Sequence, residues 1–250
     1  MVYNWLDGLR QRWLPGHCIL CQAADPSGLH LCHDCRADLP WLAPGCPRCA
    51  LPTPVPGQPC GACQARPPAF DSSTALFRYA APLDTLVQQL KFGQGLHLAR
   101  LFAALLGEHL AERPADAPRP DAILPVPLHP QRQRVRGFNQ ALEIARPLAR
   151  RLGCRLEATA CVRERATPSQ TRLHAAQRRR NLRGAFRLTG PLPGRHIAIL
   201  DDVMTTGSTL DALARQLRQA GAEHIEVWVV ARATCNAGLV GADQAAPTAR

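Results

Sequence analysis

The sequence has no long run of apolar residues. No stretch of its 250 residues approaches the ~20 apolar residues that a helix needs to cross a bilayer. The first fourteen residues contain Asp7, Arg10 and Arg12 and no uninterrupted apolar core, so they do not resemble a secretory signal. We therefore expect a cytoplasmic protein, in a compartment where thiols stay reduced.

Residues 1–16 are predicted to form a short amphipathic helix that Pro15 ends. Its apolar face consists of Val2, Trp5, Leu6, Leu9 and Trp13. Docking of this face onto the rest of the chain is the preferred interpretation, and a role at a membrane surface is the alternative.

Acidic residues are scarce relative to basic ones. The chain has 19 Asp and Glu against 30 Lys and Arg, a formal net charge of +11. This excess suits a partner that carries phosphates, but it does not distinguish a small ligand from a nucleic acid. A hydrophobic fraction of 46% is sufficient for a packed core, in one large domain or two smaller ones.

Cysteine, by contrast, is plentiful near the start of the chain. Eight of the eleven cysteines form four Cys-x-x-Cys pairs, each beginning fourteen residues after the one before: Cys18/Cys21, Cys32/Cys35, Cys46/Cys49 and Cys60/Cys63. Two such turns complete a tetrahedral site of four thiolates, so residues 17–68 are predicted to hold two structural Zn²⁺ ions. Sequential pairing is favoured, with Cys18, Cys21, Cys32 and Cys35 at one site; cross-braced pairing stays open.

Other interpretations of these cysteines are weaker. Four disulfides would require export, and a redox Cys-x-x-Cys would normally occur once. The spacing does not distinguish iron from zinc, and His17, His30 and His33 lie near the pairs although the cysteine set is already complete. Bracing of a neighbouring domain or docking of a protein is preferred over nucleic-acid contact.

The most informative segment is an apolar strand followed by acids and a hydroxyl-rich loop. Residues 197–200 are apolar, Asp201 and Asp202 follow, and the loop then reads Thr205, Thr206, Gly207, Ser208 and Thr209. Such a loop opening a helix offers amides, hydroxyls and the helix dipole to a phosphate, while the carboxylates suit ribose hydroxyls or magnesium. An ordinary strand–helix turn with caps would need one such residue rather than several.

The neighbouring pattern supports this location. Apolar residues at helical spacing run from Leu210 to Ala220, Gly221 is a natural stop, and residues 224–231 form a second buried strand. The motif therefore lies in a strand–loop–helix–strand unit, where an open α/β sheet binds its ligands beyond the strand ends.

Two basic segments are further candidates for anion binding. A strand over 122–127 is predicted to lead into a loop over 128–138 with Arg132, Arg134 and Arg136. Asn139 then caps a helix that reaches Leu152 and bends at Pro147. Residues 163–183 are polar and are predicted to be a mobile functional loop. A solvated basic face or a nucleic-acid patch is the alternative, although no aromatic residue in 163–183 supports base stacking.

The remaining elements are predicted more simply. A strand is expected over 75–79 and another over 157–162, with helices over 82–91 and 96–111. Residues 234–250 are rich in Gly, Ala and Pro and are expected to be disordered.

Residues 197–210 resemble the phosphoribosyl-diphosphate (PRPP) motif of type I phosphoribosyltransferases. The chain as a whole is similar to the ComF branch of that superfamily. The segments that carry this similarity are Leu90-Lys91-Phe92, Pro125-Val126-Pro127-Leu128, Arg136-Gly137-Phe138-Asn139-Gln140, Thr167 with Gln170 and Leu173, Arg180-Asn181, and Gly184-Ala185-Phe186.

The resemblance implies a parallel α/β sheet flanked by helices over residues 69–233, preceded by a double zinc ribbon. It implies that residues 205–209 hold the 5-phosphate and that Asp201 and Asp202 contact the ribose, with Mg²⁺ on the diphosphate. Residues 127–136 would lie near the diphosphate, and 163–183 would form a lid. The residues expected there are Arg132, Arg136, Arg163, Gln170, Arg178 and Asn181.

The resemblance also implies a setting in natural transformation, beside a helicase and single-stranded DNA at the inner face of the membrane. Glutamine-dependent amidophosphoribosyl transfer is not expected, because that activity needs an N-terminal cysteine and this chain starts Met1-Val2. Three hypotheses stay open: a phosphoribosyltransferase, a DNA-docking or helicase-docking module, and a PRPP sensor without turnover.

Overall fold

The computed structural model describes residues 16–25, 27–92, 95–114, 116–165 and 184–234. Apart from Gly16, the predicted helix over 1–16 lies outside the described residues, as do most of the predicted lid and all but the first residue of the predicted disordered tail. So do three candidate site residues, Gln170, Arg178 and Asn181.

The cysteine-rich region consists of two small units of similar local structure. The first contains the strands β1 (Gly16–His17) and β2 (Ala24–Asp25) and the helix α1 (His33–Ala37), and the second contains the helix α2 (Gly61–Ala65). Cys32 and Cys60 stand at the N-cap positions of α1 and α2. Gln22 and Ala50 follow the first Cys-x-x-Cys of each unit and both adopt positive φ, so each turn wraps its sulfurs toward one point.

A five-stranded sheet forms the core of the rest of the chain. Its strands are β3 (Ser72–Arg78), β4 (Ala122–Pro125), β5 (Arg155–Leu156), β8 (His196–Met204) and β9 (His224–Arg232), in the order β3-β9-β8-β4-β5. All four neighbouring pairs are parallel. The continuous apolar runs in β8 and β9 fit this position, because a parallel sheet is covered on both faces.

Helices cover one face of the sheet, and a helix with a hairpin covers the other. The first face packs against α3 (Leu83–Lys91), α4 (Leu96–Ala111) and α6 (Gln140–Leu152). The second packs against α7 (Ser208–Gln219) and the antiparallel hairpin of β6 (Cys161–Arg163) and β7 (Phe186–Leu188). The predicted α/β fold with an N-terminal cysteine-rich region is confirmed.

Most predicted elements are present with bounds close to those expected. The helix α4 has the predicted bounds, Asn139 accepts a hydrogen bond from the Ala141 amide at 3.0 Å as a helix cap, and Pro147 lies inside α6. The predicted stop after α7 is also confirmed, since Gly221 adopts a φ of 104°.

Two predictions were wrong in detail. The expected loop over 128–138 contains a helix, α5 (Pro130–Arg136), which begins with a proline and ends at Gly137 in the left-handed region. The strand expected over 157–162 is absent as such: β5 ends at Leu156 and β6 begins at Cys161. Within the described part of the chain, no helix has both the length and the apolar character to span a membrane.

Candidate functional site

The carboxyl ends of β4 and β8 bring most of the predicted site residues to one edge of the sheet. Strand β8 continues past its apolar residues through Asp201 and Asp202 to Met204. Residues 205–207 then turn directly into α7. Because β4 is paired with β8 in parallel, the arginine-bearing helix α5 leaves the sheet at the same edge. This is the edge at which open α/β sheets bind ligands.

The two carboxylates lie close together, and neighbouring hydrogen-bond donors and cations balance only part of their negative charge. One oxygen of each accepts a backbone amide, from Asp202 to Asp201 at 2.9 Å and from Val203 to Asp202 at 2.8 Å. The Oδ2 atom of Asp202 is buried and accepts no hydrogen bond from any described residue, although Lys91 Nζ lies 3.3 Å away. Burial, reinforced by the charge of Asp202, raises the pKa of Asp201 well above its usual range.

The backbone of the hydroxyl-rich loop turns at a glycine directly into α7, so the N-terminus of this helix can face a ligand. Gly207 is the N-cap of α7 and adopts a φ of 74°, which strains any residue with a side chain. Thr205 and Thr206 are exposed, and the hydroxyls of Thr206 and Ser208 lie 2.9 Å apart. In an α-helix the first amides have no partner within the helix, so this end of α7 is suited to an anion.

Arginines gather beside the carboxylates. Burial lowers the pKa of Arg163, the nearby charge of Arg132 lowers it further, and Asp201 opposes this change. Burial and the charge of Arg136 also lower the pKa of Arg132. Arg163 therefore lies within electrostatic range of Arg132 and of Asp201, and Arg132 lies within range of Arg136. A cluster of like charges of this kind favours an anionic ligand.

Two residues beside the site were not predicted from the sequence. Lys91 ends α3 and pairs with Asp202, and only the resemblance of the segment 90–92 hinted at its importance. Arg232 ends β9 and is 4% exposed. No motif of the sequence had singled it out.

Arg232 joins the start of the hydroxyl-rich loop to the second cysteine unit. Its guanidinium donates to the carbonyl oxygens of Met204 at 3.0 Å and Ala233 at 2.7 Å, and also to that of Thr205. Its Nε donates to the carbonyl oxygen of Cys49 at 2.7 Å. A cavity of about 210 Å³ lies between this cysteine unit and the loop, and Thr206, Ser208, Arg66 and Arg215 contribute to its lining.

The cysteines form two separate groups, paired in sequential order. The first contains Cys18, Cys21, Cys32 and Cys35, and the second contains Cys46, Cys49, Cys60 and Cys63; in each, the sulfur atoms lie within 4.8 Å of one another. The Sγ atoms of Cys21 and Cys32 are 3.6 Å apart, as are those of Cys49 and Cys60. This is too long for a disulfide and close to the ~3.8 Å edge of a tetrahedron with zinc–sulfur bonds of ~2.3 Å.

In each group, one thiol has a lowered pKa and therefore ionises more readily than a free cysteine. Burial alone would raise the pKa of Cys18, but amides of Cys32, Cys21 and Leu20 lower it to about 6. The same balance at Cys46 lowers its pKa to about 7. Since zinc binds thiolates, the donor sets fit two structural Zn²⁺ ions.

Comparisons with known proteins agree with this architecture. Residues 139–243 match the phosphoribosyl transferase domain, and residues 9–64 match the double zinc ribbon domain. The chain is 40% identical to the DNA utilization protein YhgH of Salmonella typhi over 224 residues, which cover 88% of this chain and 98% of that protein. It is 37% identical to competence protein F of Haemophilus influenzae over 210 residues, which cover 81% of this chain and 90% of that protein.

More distant similarities were also found. Competence protein ComFC of Streptococcus pneumoniae is 26% identical over 205 residues, which cover 81% of this chain and 87% of that protein. A solved structure of a purine phosphoribosyltransferase from Pyrococcus horikoshii covers 52% of this chain and 80% of its own, with 20% identity and a TM-score of 0.31. This structural likeness is too remote to support an argument about the chain.

Proposed function

Because the chain belongs to the family of the DNA utilization protein YhgH and competence protein F, we propose that it binds a phosphoribosyl ligand with Mg²⁺. The ligand is PRPP or the 5′-phosphate of a nucleotide. The observation that carries the proposal is the succession of a carboxylate pair, of which Asp202 is buried, a hydroxyl-rich loop and a helix N-terminus at one edge of the sheet.

Each part of the site has a distinct task in this proposal. The amides and hydroxyls of residues 205–209 hold the 5-phosphate. The ribose hydroxyls donate to Asp201 and Asp202, which gives the buried Oδ2 of Asp202 a hydrogen-bond donor. Mg²⁺ would be held beside these carboxylates, whose oxygens suit it, and would neutralise charge on the diphosphate.

The arginines face the other end of the ligand. In a transfer reaction an acceptor nucleophile forms a bond to ribose C1 while the bond between C1 and the diphosphate breaks, and the diphosphate leaves with the electron pair of that bond. Negative charge therefore grows on the diphosphate, and we propose that Arg132, Arg136 and Arg163 act there as fixed cations that stabilise the transition state. Gln170, Arg178 and Asn181 are proposed to complete this part of the site.

A calorimetric titration with Mg²⁺·PRPP tests the binding. We expect saturable binding by the zinc-loaded protein and loss of binding in the double variant Asp201→Asn plus Asp202→Asn, with the fold retained. A control variant, Asp38→Asn plus Asp116→Asn, removes the same charge from exposed positions outside the site. Equal PRPP affinity in the wild type and the site variant would refute the proposal.

A second function, docking of single-stranded DNA, is favoured by the clustered arginines and by the names of the relatives. It predicts a DNA affinity that falls steeply with salt and survives the double substitution of Asp201 and Asp202. Release of diphosphate from PRPP in the presence of candidate bases and amines would instead support the transferase. Loss of both DNA and PRPP binding in the double variant would contradict a separate docking role.

A further inference from the structure

A cluster of two histidines and one glutamate lies at the opposite edge of the sheet from the hydroxyl-rich loop. His196 begins β8, His224 begins β9, and the two residues are paired across the strands. The distance along β8 from His196 to Met204 is about 26 Å at the rise of a strand. This cluster is therefore separate from the proposed ligand site.

Glu226 completes the cluster from the same face of β9 as His224, two residues away. One ligand atom from each of His196, His224 and Glu226 lies within 4.8 Å of the other two. The Nε2 atoms of the two histidines are 2.9 and 3.9 Å from Glu226 Oε1. Ligands bound to zinc at about 2.0–2.2 Å in a tetrahedron lie about 3.3–3.5 Å apart, so small side-chain shifts would suffice.

The surrounding contacts orient these groups as metal ligands are oriented in proteins. Glu226 Oε2 accepts from Arg113 at 2.6 Å and from Trp228 Nε1 at 2.9 Å, which leaves Oε1 directed at the histidines. The other nitrogen of His224, Nδ1, lies 3.4 Å from Asp71 Oδ2. A carboxylate behind a histidine fixes the ring and raises its basicity as a ligand.

We propose that His196, His224 and Glu226 form a third metal site, for a divalent ion of the zinc class, distinct from the two cysteine sites. Two imidazoles and one carboxylate match the ligand preferences of Zn²⁺. The Glu226 side chain is 6% exposed and that of His224 is 44% exposed, so the carboxylate is anchored in the protein while solvent reaches the cluster. Three protein ligands leave a fourth position for water.

A zinc titration of protein purified with two zinc ions per chain tests this proposal. We expect one further equivalent to bind and to raise the melting temperature, because a ligand that binds only the folded state stabilises it. His196→Asn and His224→Asn should each remove that equivalent and the shift. His109→Asn, a half-exposed histidine on α4 that lies near Glu112, is the matched control and should retain both.

The outcomes separate the alternatives. Anomalous scattering at the zinc edge from crystals with the third equivalent should place the ion between β8 and β9. The proposal is overturned if the two-zinc protein binds no further zinc. It is equally overturned if both variants, folded by circular dichroism, bind the third zinc as the wild type does.

Discussion

The two cysteine units have the same cysteine spacing and each has a short helix with a cysteine at its N-cap, but they contact different parts of the molecule. In the first unit, Arg36 pairs with Glu108 of α4 at 2.8 Å, and Cys18, Leu31 and Leu39 join the core on that face of the sheet. In the second unit, the carbonyl of Cys49 accepts from Arg232, which also holds the carbonyl of Thr205 at the start of the hydroxyl-rich loop.

This difference shows that two units with the same local structure can have different roles. The spacing of the cysteines determines that each unit folds around a metal, and it does so equally in both. What each unit does depends on its neighbours, which the repeat does not encode. We infer that the first unit braces a helix and that the second also positions the hydroxyl-rich loop.

The largest effect is expected from removal of one zinc ligand in each unit. Cys49→Ser and Cys21→Ser change corresponding positions, and structural zinc contributes about 10–16 kcal/mol to folding in small domains. Both variants should lose one zinc by metal analysis and melt at a lower temperature. Only Cys49→Ser should lower the affinity for Mg²⁺·PRPP, by about tenfold or more. Equal affinities in the two variants would remove the distinction between the units.

Arg232→Met is expected to have the next largest effect. It removes the side-chain donor from the carbonyl oxygens of Cys49, Thr205 and Ala233, whereas the carbonyl of Met204 still accepts from the amide of Ala233. A buried group left unsatisfied costs about 1–3 kcal/mol. Chemical denaturation should show a loss of several kcal/mol, and PRPP affinity should fall while both zinc ions stay bound. The control is Arg78→Met, which changes the exposed arginine paired with Arg232 across the strands. A similar response to both substitutions would show that Arg232 does not position the loop.

The smallest effect is expected from Arg36→Ala in the first unit. The Arg36–Glu108 pair is partly exposed, and such pairs contribute about 0–1 kcal/mol. Stability should fall by no more than that amount, and PRPP affinity should be unchanged in calorimetry. A change in affinity comparable to that of Arg232→Met would mean that the first unit also communicates with the site.

The sequence predicted those parts of the molecule in which neighbouring residues act together. Apolar periodicity predicted α4 and α7, and the contiguous segment from Asp201 to Thr209 placed the acids and the loop side by side. The helix α5 had readable signals, a proline at its first position and Gly137 at its end, but the density of arginines favoured a loop. The prediction of one strand over 157–162 was wrong because β5 is a two-residue edge strand and β6 belongs to a separate hairpin.

Contacts between distant segments could not be predicted in the same way. Arg232 binds the carbonyl of Cys49, 183 residues away in the sequence, and any residue type supplies such a carbonyl. Likewise, His196 and Glu226 meet because β8 and β9 pair in one register, which the apolar pattern alone does not fix.

A crystal structure with bound Mg²⁺·PRPP tests the central claim most directly. The account predicts that the 5-phosphate lies against the amides of residues 206–209, with the ribose hydroxyls within hydrogen-bond distance of Asp201 or Asp202. A 5-phosphate bound elsewhere, for example against Arg132 and Arg136 with the hydroxyl-rich loop empty, would contradict it.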